Sequence, residues 1–109
     1  MVQSIADTYL VSGRRLTPAA GTYRVYSKSP TAWAGHDGIV MQHMVRFAHG
    51  RSLAIGFHSI PRYGSGGRPL QTEAQLGTYQ SSGCVRQADH KAAALYEWAP
   101  IGTVVVVVP

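Results

Sequence analysis

Short runs of β-branched and aromatic residues, separated by turns that contain glycine or proline, dominate this sequence. Runs of this kind are typical of strands, because such side chains fit a pleated, partly buried surface. Ser-Pro and His-Gly pairs between the runs indicate turns, and His49-Gly50 indicates a hairpin. Strands are predicted at residues 8–11, 22–26, 39–48 and 53–58.

The last part of the chain carries a helical pattern followed by a run of valines. Residues 89–99 predict a helix that Asp89 caps and that Pro100 and Gly102 end. The uninterrupted run at 104–108 predicts a strand buried on both faces. The predicted apolar side of the helix consists of Ala92, Leu95, Trp98 and Ala99. We therefore expect a mainly β fold, a sandwich of mixed, mostly antiparallel strands with one short helix.

Length and composition indicate one small domain. The chain has 109 residues, of which 45% are hydrophobic, enough for a modest single core, so residues 1–109 are predicted to form one domain. No apolar run approaches the length of a membrane helix. The first four residues lack the basic and then apolar pattern of a signal peptide.

The net charge of +5 does not indicate a nucleic-acid partner. The lysines and arginines are scattered along the chain and are not interleaved with aromatic residues, as a nucleic-acid surface would require. The five histidines do not indicate zinc either, because no closely spaced ligand pair is present. We expect no metal and no cofactor. His36-Asp37-Gly38 is predicted to be a turn, and His43 to face the same side as Met41, Val45 and Phe47.

Cys84 is the only cysteine, and it directly follows a glycine in the polar segment Ser81-Ser82-Gly83. A single thiol cannot form an internal disulfide, so it serves as a small buried residue, an intermolecular cross-link or a nucleophile. His58 lies at the end of an apolar run and before a proline turn, where loops build sites. A histidine would supply the base that a thiol nucleophile needs, and this favours the use of Cys84 as a nucleophile.

These motifs resemble the L,D-transpeptidase catalytic domain family (YkuD-type), cysteine enzymes that cross-link bacterial peptidoglycan. The family signature is a histidine, a spacer, then Ser/Thr-His-Gly-Cys, an apolar residue and Arg or Asn. The residues that match it are His58, Ser81, Gly83, Cys84, Val85 and Arg86. Stretches around Tyr23 and from Leu95 to Thr103 are also similar, so the resemblance covers about residues 8–109.

Two departures from the family pattern affect the site. Ser82 stands where the family has a second histidine, so the role of general base rests on His58 alone. The spacer between His58 and Ser81 is longer than in the family, and it contains several glycines and prolines. We expect residues 60–79 to form a mobile lid over the cleft.

The resemblance implies a set of roles for the site residues. Catalysis is assigned to Cys84 as nucleophile and His58 as base, with Ser59 orienting the imidazole through its carbonyl or hydroxyl group, although Ser59 can equally be an ordinary turn residue. Stabilisation of the oxyanion is assigned to the backbone N–H groups of Ser82, Gly83 and Cys84. The residues assigned to substrate are Ser81, Arg86, Tyr79 and Tyr63. Arg86 has an alternative as an ion pair with Glu73 or Asp89, and burial would explain the tyrosines as well.

The reaction implied by the resemblance is acylation of Cys84 by a peptidoglycan stem peptide, with release of the terminal D-amino acid, followed by transfer to an amine to form a 3→3 cross-link. Carbapenems are the implied inhibitors. The implied location is outside the cytoplasm, in the wall or periplasm, with the exporting segment outside the numbered chain. The alternatives are an L,D-carboxypeptidase, a cysteine peptidase or amidase that hydrolyses wall peptides, and a wall-binding module without activity.

Overall fold

The structure is a computed structural model that describes residues 5–34, 38–51 and 53–109. Its α-helix, α1, is Asp89–Trp98, and a short 3-10 turn lies at Glu73–Gln75. The strands are β1 (Gly21–Arg24), β2 (Ser27–Ala34), β3 (Ile39–His49), β4 (Ala54–Ser59), β5 (Arg62–Tyr63), β6 (Val85–Gln87) and β7 (Val104–Val107). The mainly β prediction with one helix after Cys84 is confirmed.

Two sheets make up the fold. The larger has five strands in the order β2-β3-β4-β6, with β5 paired to β3, and the smaller consists of β1 and β7. All pairs are antiparallel except β4 with β6, which is parallel. The hairpin predicted at His49-Gly50 joins β3 to β4, and the Gly50 N–H donates to the Leu53 carbonyl at 2.8 Å. The parallel pair joins the two segments that carry His58 and Cys84.

The main core lies between the two sheets and the helix. Its aromatic residues are in contact, with ring centroids 4.8 Å apart for Phe47 and Phe57 and 5.7 Å apart for Tyr23 and Phe47. Its buried members are Val25, Val45, Phe47, Ala48 and Ile55. A smaller cluster contains Ala32, Met41 and Met44. Burying these side chains supplies the main driving force for packing the sheets together.

The helix differs from its prediction at both ends. Ala88 is the residue before the first turn and Asp89 is already helical, with no side-chain cap, so Asp89 does not have the predicted capping role. Ala92 and Ala99 are buried as expected, but Trp98 is 70% exposed. At about 100° per residue, position 98 is rotated well away from the stripe that Ala92 and Ala99 share, and the half-buried Tyr96 lies on that stripe instead.

Three strand predictions are wrong. Residues 8–11 form no strand, and the nearest pairing is the isolated bridge between Ser12 and Arg86. The valine strand is not buried on both faces: Val105 and Val107 pack against the main core, whereas Val106 on the opposite face is 63% exposed. The Ser-Pro pair at Pro30 lies within β2 and not in a turn. Proline is tolerated there because β2 is an edge strand of its sheet.

His43 interrupts the alternation of side chains along β3. Its backbone is left-handed, with φ of 58°, and its half-buried ring packs edge-on against Tyr96 at 5.4 Å. Val45 therefore belongs to the main core while Met41 belongs to the smaller cluster, and the prediction that they share one side is wrong. The turn predicted at His36 and Asp37 lies outside the described residues.

Candidate active site

The turn that precedes Cys84 is shaped by one hydroxyl group. Ser81 Oγ donates to the Cys84 carbonyl oxygen at 2.5 Å and accepts from the Gly83 N–H at 3.1 Å. Gly83 is buried and has φ of 154°, a backbone conformation that L side chains rarely adopt. Because Ser81 is engaged in both bonds, its hydroxyl acts within the turn. The Gly83 N–H is also occupied, which leaves the N–H groups of Ser82 and Cys84 for the predicted oxyanion hole.

Cys84 is half-buried and lies directly before β6. Its thiol donates to the carbonyl oxygen of Ala54, with the sulfur 3.5 Å from that oxygen. Burial raises the pKa of the Cys84 thiol, while a hydrogen bond from the Gly56 N–H and the charges of Arg46 and Arg86 act in the opposite direction. The free protein therefore holds a protonated thiol at neutral pH.

Gly56 is required beside Cys84 because two backbones approach there. A Cβ atom at Gly56 would lie 2.5 Å from the Val45 carbonyl oxygen and 2.9 Å from Arg46 Cα. Gly56 is also the register partner of Arg46 across the β3–β4 pair. The glycine thus brings the Arg46 strand, the Gly56 amide and the thiol into one small region.

His58 is buried, with 2% of its surface exposed, near the end of β4. Its Nδ1 lies 2.6 Å from the Ser59 carbonyl oxygen. A carbonyl can only accept, so Nδ1 carries the proton and Nε2 keeps its lone pair. The pKa of His58 is lowered to about 4, mainly by burial and to a smaller extent by the Arg86 charge, while the bond to Ser59 acts in the opposite direction. At neutral pH the imidazole is therefore an uncharged base.

Ser59 contributes its two oxygens to different partners. Its carbonyl holds the imidazole as described, whereas its hydroxyl accepts the Gln42 N–H at 2.8 Å. That N–H lies next to His43, where the left-handed backbone interrupts the strand. The sequence allowed Ser59 to orient the His58 imidazole through either its carbonyl or its hydroxyl group. In the structure the carbonyl group does so.

The register of the parallel pair places the two predicted catalytic residues near each other. His58 is the register partner of Arg86, and Cys84 lies in the bend two residues before Arg86. Arg86 is close enough to act on the pKa of both His58 and Cys84. No hydrogen bond joins Cys84 to His58 within the part of the chain that the structure describes, and the sulfur is directed to Ala54 instead.

Arg86 has a neutral partner. Its Nη1 donates to Gln71 Oε1 at 3.1 Å, and its Nε is buried without a partner among the described residues. Asp89 is instead paired with Arg62 at 3.2 Å, and no described ion pair involves Glu73, so the alternative of an ion pair to Arg86 is wrong. No described carboxylate neutralises the guanidinium, and burial lowers the pKa of Arg86.

Tyr63 and Tyr79 are not core residues. They are 47% and 69% exposed, so burial does not explain them. The Tyr63 ring lies 5.3 Å from the Arg68 guanidinium carbon. A cavity of about 170 Å³ adjoins Ser59, Ile60 and Arg62, but neither tyrosine is among its lining residues.

The segment between His58 and Ser81 is anchored along most of its length. Residues Pro61 and Leu70 are joined by a backbone bond of 2.8 Å, and the Gly77 N–H donates to Val11 at 3.0 Å. Ile60, Pro61 and Gln71 are buried. Ser65 and Gly66 of the glycine-rich tip at 64–67 are exposed, as are residues 72–75 and 77–80, and the lid prediction remains untested.

Two residues that contribute to the site were missed from the sequence. The charge of Arg46 acts to lower the pKa of the Cys84 thiol, and its guanidinium donates to the Ser27 and Ser29 hydroxyls at 3.1 and 2.9 Å. Gln71 accepts a hydrogen bond from Arg86. Arg46 could have been noticed from the sequence, because an arginine within the apolar run of β3 is unusual. Nothing local distinguishes Gln71 from the other polar loop residues. Among the described residues, no cluster of three metal-ligating side chains occurs and no helix is long and apolar enough to cross a membrane.

Comparison with solved structures shows the same fold in several L,D-transpeptidases. The L,D-transpeptidase LdtMt1 in complex with imipenem is 20% identical, with a TM-score of 0.68 over 91% of this chain and 47% of that one. An L,D-transpeptidase from Mycobacterium smegmatis is 20% identical, with a TM-score of 0.67 over 92% of this chain and 48% of that one. One from Mycobacterium tuberculosis H37Rv is 25% identical, with a TM-score of 0.66 over 92% of this chain and 42% of that one.

This chain thus spans less than half the length of these three proteins. No curated protein sequence matches it. The family model for the L,D-transpeptidase catalytic domain, YkuD, matches residues 3–107, which is nearly the whole sequence. The chain therefore belongs to the L,D-transpeptidase catalytic domain family.

Proposed function

We propose that this chain is a cysteine acyltransferase, a peptidoglycan L,D-transpeptidase. The observation that carries the proposal is that a buried, neutral histidine lies on β4 and that the only cysteine directly precedes β6, the parallel partner of β4, with the Arg86 charge acting on both. Family membership supports the reaction class.

The first half of the reaction is acylation of Cys84. The sulfur turns from the Ala54 carbonyl toward the substrate and gives its proton to His58 Nε2 as it attacks the carbonyl carbon of the third stem-peptide residue. The tetrahedral oxyanion is stabilised by backbone N–H groups of Ser82 and Cys84. Collapse breaks the bond to the terminal D-amino acid, whose nitrogen takes the proton from His58, and a thioester remains.

In the second half, a side-chain amine of a neighbouring stem peptide attacks the thioester. His58 accepts a proton from the amine and returns it to the departing sulfur, so the 3→3 cross-link forms and Cys84 is regenerated as a thiol. Water in place of the amine makes the same site an L,D-carboxypeptidase. A cysteine peptidase or amidase that only hydrolyses wall peptides uses the same thioester.

The protonation states favour a concerted proton transfer. With the pKa of His58 near 4 and the pKa of the thiol raised by burial, a thiolate–imidazolium pair is not the stable form of the free protein. The proton therefore moves as the sulfur attacks, and the Arg46 and Arg86 charges stabilise the developing thiolate.

Substrate recognition is proposed for the remaining assigned residues. The half-buried, positively charged Arg86 side chain is proposed to attract a carboxylate of the stem peptide, and the exposed Tyr63 and Tyr79 are proposed to offer it aromatic surface. Imipenem is bound in the LdtMt1 structure, and we propose that carbapenems acylate Cys84 here in the same way. The proposed location is outside the cytoplasm, in the cell wall or periplasm.

One observation favours a second candidate, a wall-binding module without turnover. Cys84 Sγ is hydrogen-bonded to Ala54 and makes no hydrogen bond to His58 within the described residues. If the sulfur cannot leave this position, the thiol stays protonated and unreactive. The two candidates differ in whether Cys84 forms a covalent adduct.

Intact-mass measurement after incubation with imipenem tests the proposal. We expect one adduct in the native chain, none in Cys84→Ala, and strongly reduced formation in His58→Ala. Ser82→Ala is the matched control, because position 82 is used only through its backbone, and it should still be acylated. A native chain without an adduct, or an adduct that persists in Cys84→Ala, overturns the proposal. Incorporation of an added amine into a peptide product then separates transpeptidation from hydrolysis.

A further inference from the structure

Gln71 is a buried polar residue in the long segment between His58 and Ser81. It is 4% exposed, and its amide is hydrogen-bonded at both ends. Nε2 donates to Ser12 Oγ at 3.1 Å and to the Thr72 carbonyl at 3.4 Å, while Oε1 accepts from Arg86 Nη1 at 3.1 Å. A buried amide with partners on both sides is held in one orientation.

Ser12 ties the same residues together through the backbone. The Arg86 N–H donates to the Ser12 carbonyl at 2.7 Å, and the Ser12 N–H donates to the Arg86 carbonyl at 2.9 Å. Gln71 is therefore fixed to the strand segment whose guanidinium it holds. Within the described part of the chain, it is the only side chain that accepts a hydrogen bond from that guanidinium.

We propose that Gln71 is a positioning residue that holds the Arg86 guanidinium beside Cys84 and His58. The longer segment between His58 and Ser81 thus contributes to the site directly, by supplying a neutral acceptor. This inference rests on the proposed function only in that the positioned charge serves the acylation of Cys84.

The neutrality of the acceptor matters for the chemistry. A carboxylate at position 71 would hold Arg86 as well but would cancel much of its charge at the thiol, whereas an amide orients the guanidinium and leaves the charge intact. The other charged or titratable groups near the thiol are Arg46 on β3 and His58 on β4. Arg46 has its own serine partners and does not depend on Gln71.

The pH dependence of Cys84 alkylation by iodoacetamide measures this effect without requiring any wall substrate. In Gln71→Met, the guanidinium loses its acceptor, so the alkylation midpoint should move to higher pH. In Gln71→Glu, the midpoint should also rise, because the carboxylate neutralises Arg86. Gln80→Met is the matched control, and its midpoint should not change: Gln80 is an exposed glutamine of the same segment, and among the described residues its side chain is hydrogen-bonded to Thr78 and not to Arg86.

A double-mutant cycle separates positioning from a merely structural role. In an Arg86→Met background, Gln71→Met should add no further shift of the midpoint, because the charge that Gln71 positions is gone. Acylation by imipenem should slow about tenfold in Gln71→Met alone, the effect of losing one hydrogen bond to a charged group. Circular dichroism at each pH identifies any variant that does not fold.

The inference is overturned if either folded Gln71 variant keeps the native midpoint, or if the Gln71→Met shift is the same with and without Arg86. If Gln71→Met does not fold, Gln71→Asn, whose amide is one methylene too short to reach Arg86, replaces it in both the native and the Arg86→Met backgrounds. If the native chain is not acylated by imipenem but the midpoints shift as expected, the proposed function fails while the positioning role of Gln71 stands.

Discussion

Acidification tests the buried, neutral state of His58 most directly. Burial lowers the pKa of this imidazole from 6.5 to about 4 in the folded chain. Between these two values the unfolded chain binds more protons than the folded one, so the free energy of unfolding falls as the pH falls through this window. The two pKa values differ by about 2.5 pH units, and at about 1.4 kcal/mol for each unit the full loss is about 3.5 kcal/mol, of which about 3 kcal/mol is lost by the time the pH reaches about 4.

Urea denaturation of the native chain and of His58→Gln, from about pH 7 to about pH 4, isolates this contribution. The carboxylates and other histidines are common to both proteins, so they cancel in the difference. Glutamine is uncharged throughout and keeps an N–H donor for the Ser59 carbonyl. We expect the native chain to lose about 3 kcal/mol more than the variant over this range, with a constant difference above about pH 6.5.

Two results would refute this reasoning. One is a difference between the native chain and His58→Gln that does not change with pH. The other is an NMR titration in which the His58 ring protonates near its unperturbed pKa while the chain stays folded. Either result would mean that the imidazole is hydrated, and the concerted proton transfer proposed for acylation would lose its basis.

The remaining predictions concern the turn before Cys84 and the loop tip. Ser81→Ala removes both hydrogen bonds of the turn and should lower the free energy of unfolding by about 1–3 kcal/mol, whereas Ser81→Thr retains the hydroxyl and should stay near native in urea denaturation. Gly83→Ala places a side chain at φ of 154° and should cost about 1–3 kcal/mol and slow acylation, and a fully stable variant would contradict the strain. Removing Ser65 and Gly66 from the tip should change peptide turnover more than iodoacetamide alkylation of Cys84. Equal slowing of both would show that the tip supports the site and does not gate it.

Local patterns were sufficient for much of the fold. The β-branched runs predicted β3, β4 and the valine strand β7, and the segment that contains Ala92 predicted the helix. These predictions succeed because strand and helix preferences depend on neighbouring residues in the chain. They fail where a neighbour in space decides, as for Trp98, whose exposure depends on which face of the helix meets the sheet.

In the candidate site, too, local sequence predicted some features, and contacts in space decided others. The sequence was sufficient to single out Cys84 and His58 by residue type and motif, and to anticipate that the Ser59 carbonyl could orient the imidazole. It did not reveal that the Gly83 N–H is taken by Ser81, because that bond depends on the conformation of the turn.

What the sequence by itself determined is the family, the strand-rich composition and the choice of Cys84 and His58 as the candidate reactive side chains. What only the tertiary structure decided is their environment: the parallel pairing of β4 with β6, the burial that keeps His58 neutral, and the contacts of Arg46 and Gln71. Burial and charge act through space, between residues far apart in the chain. No local pattern encodes which distant residues will meet, so these properties emerge only when the strands pair and pack.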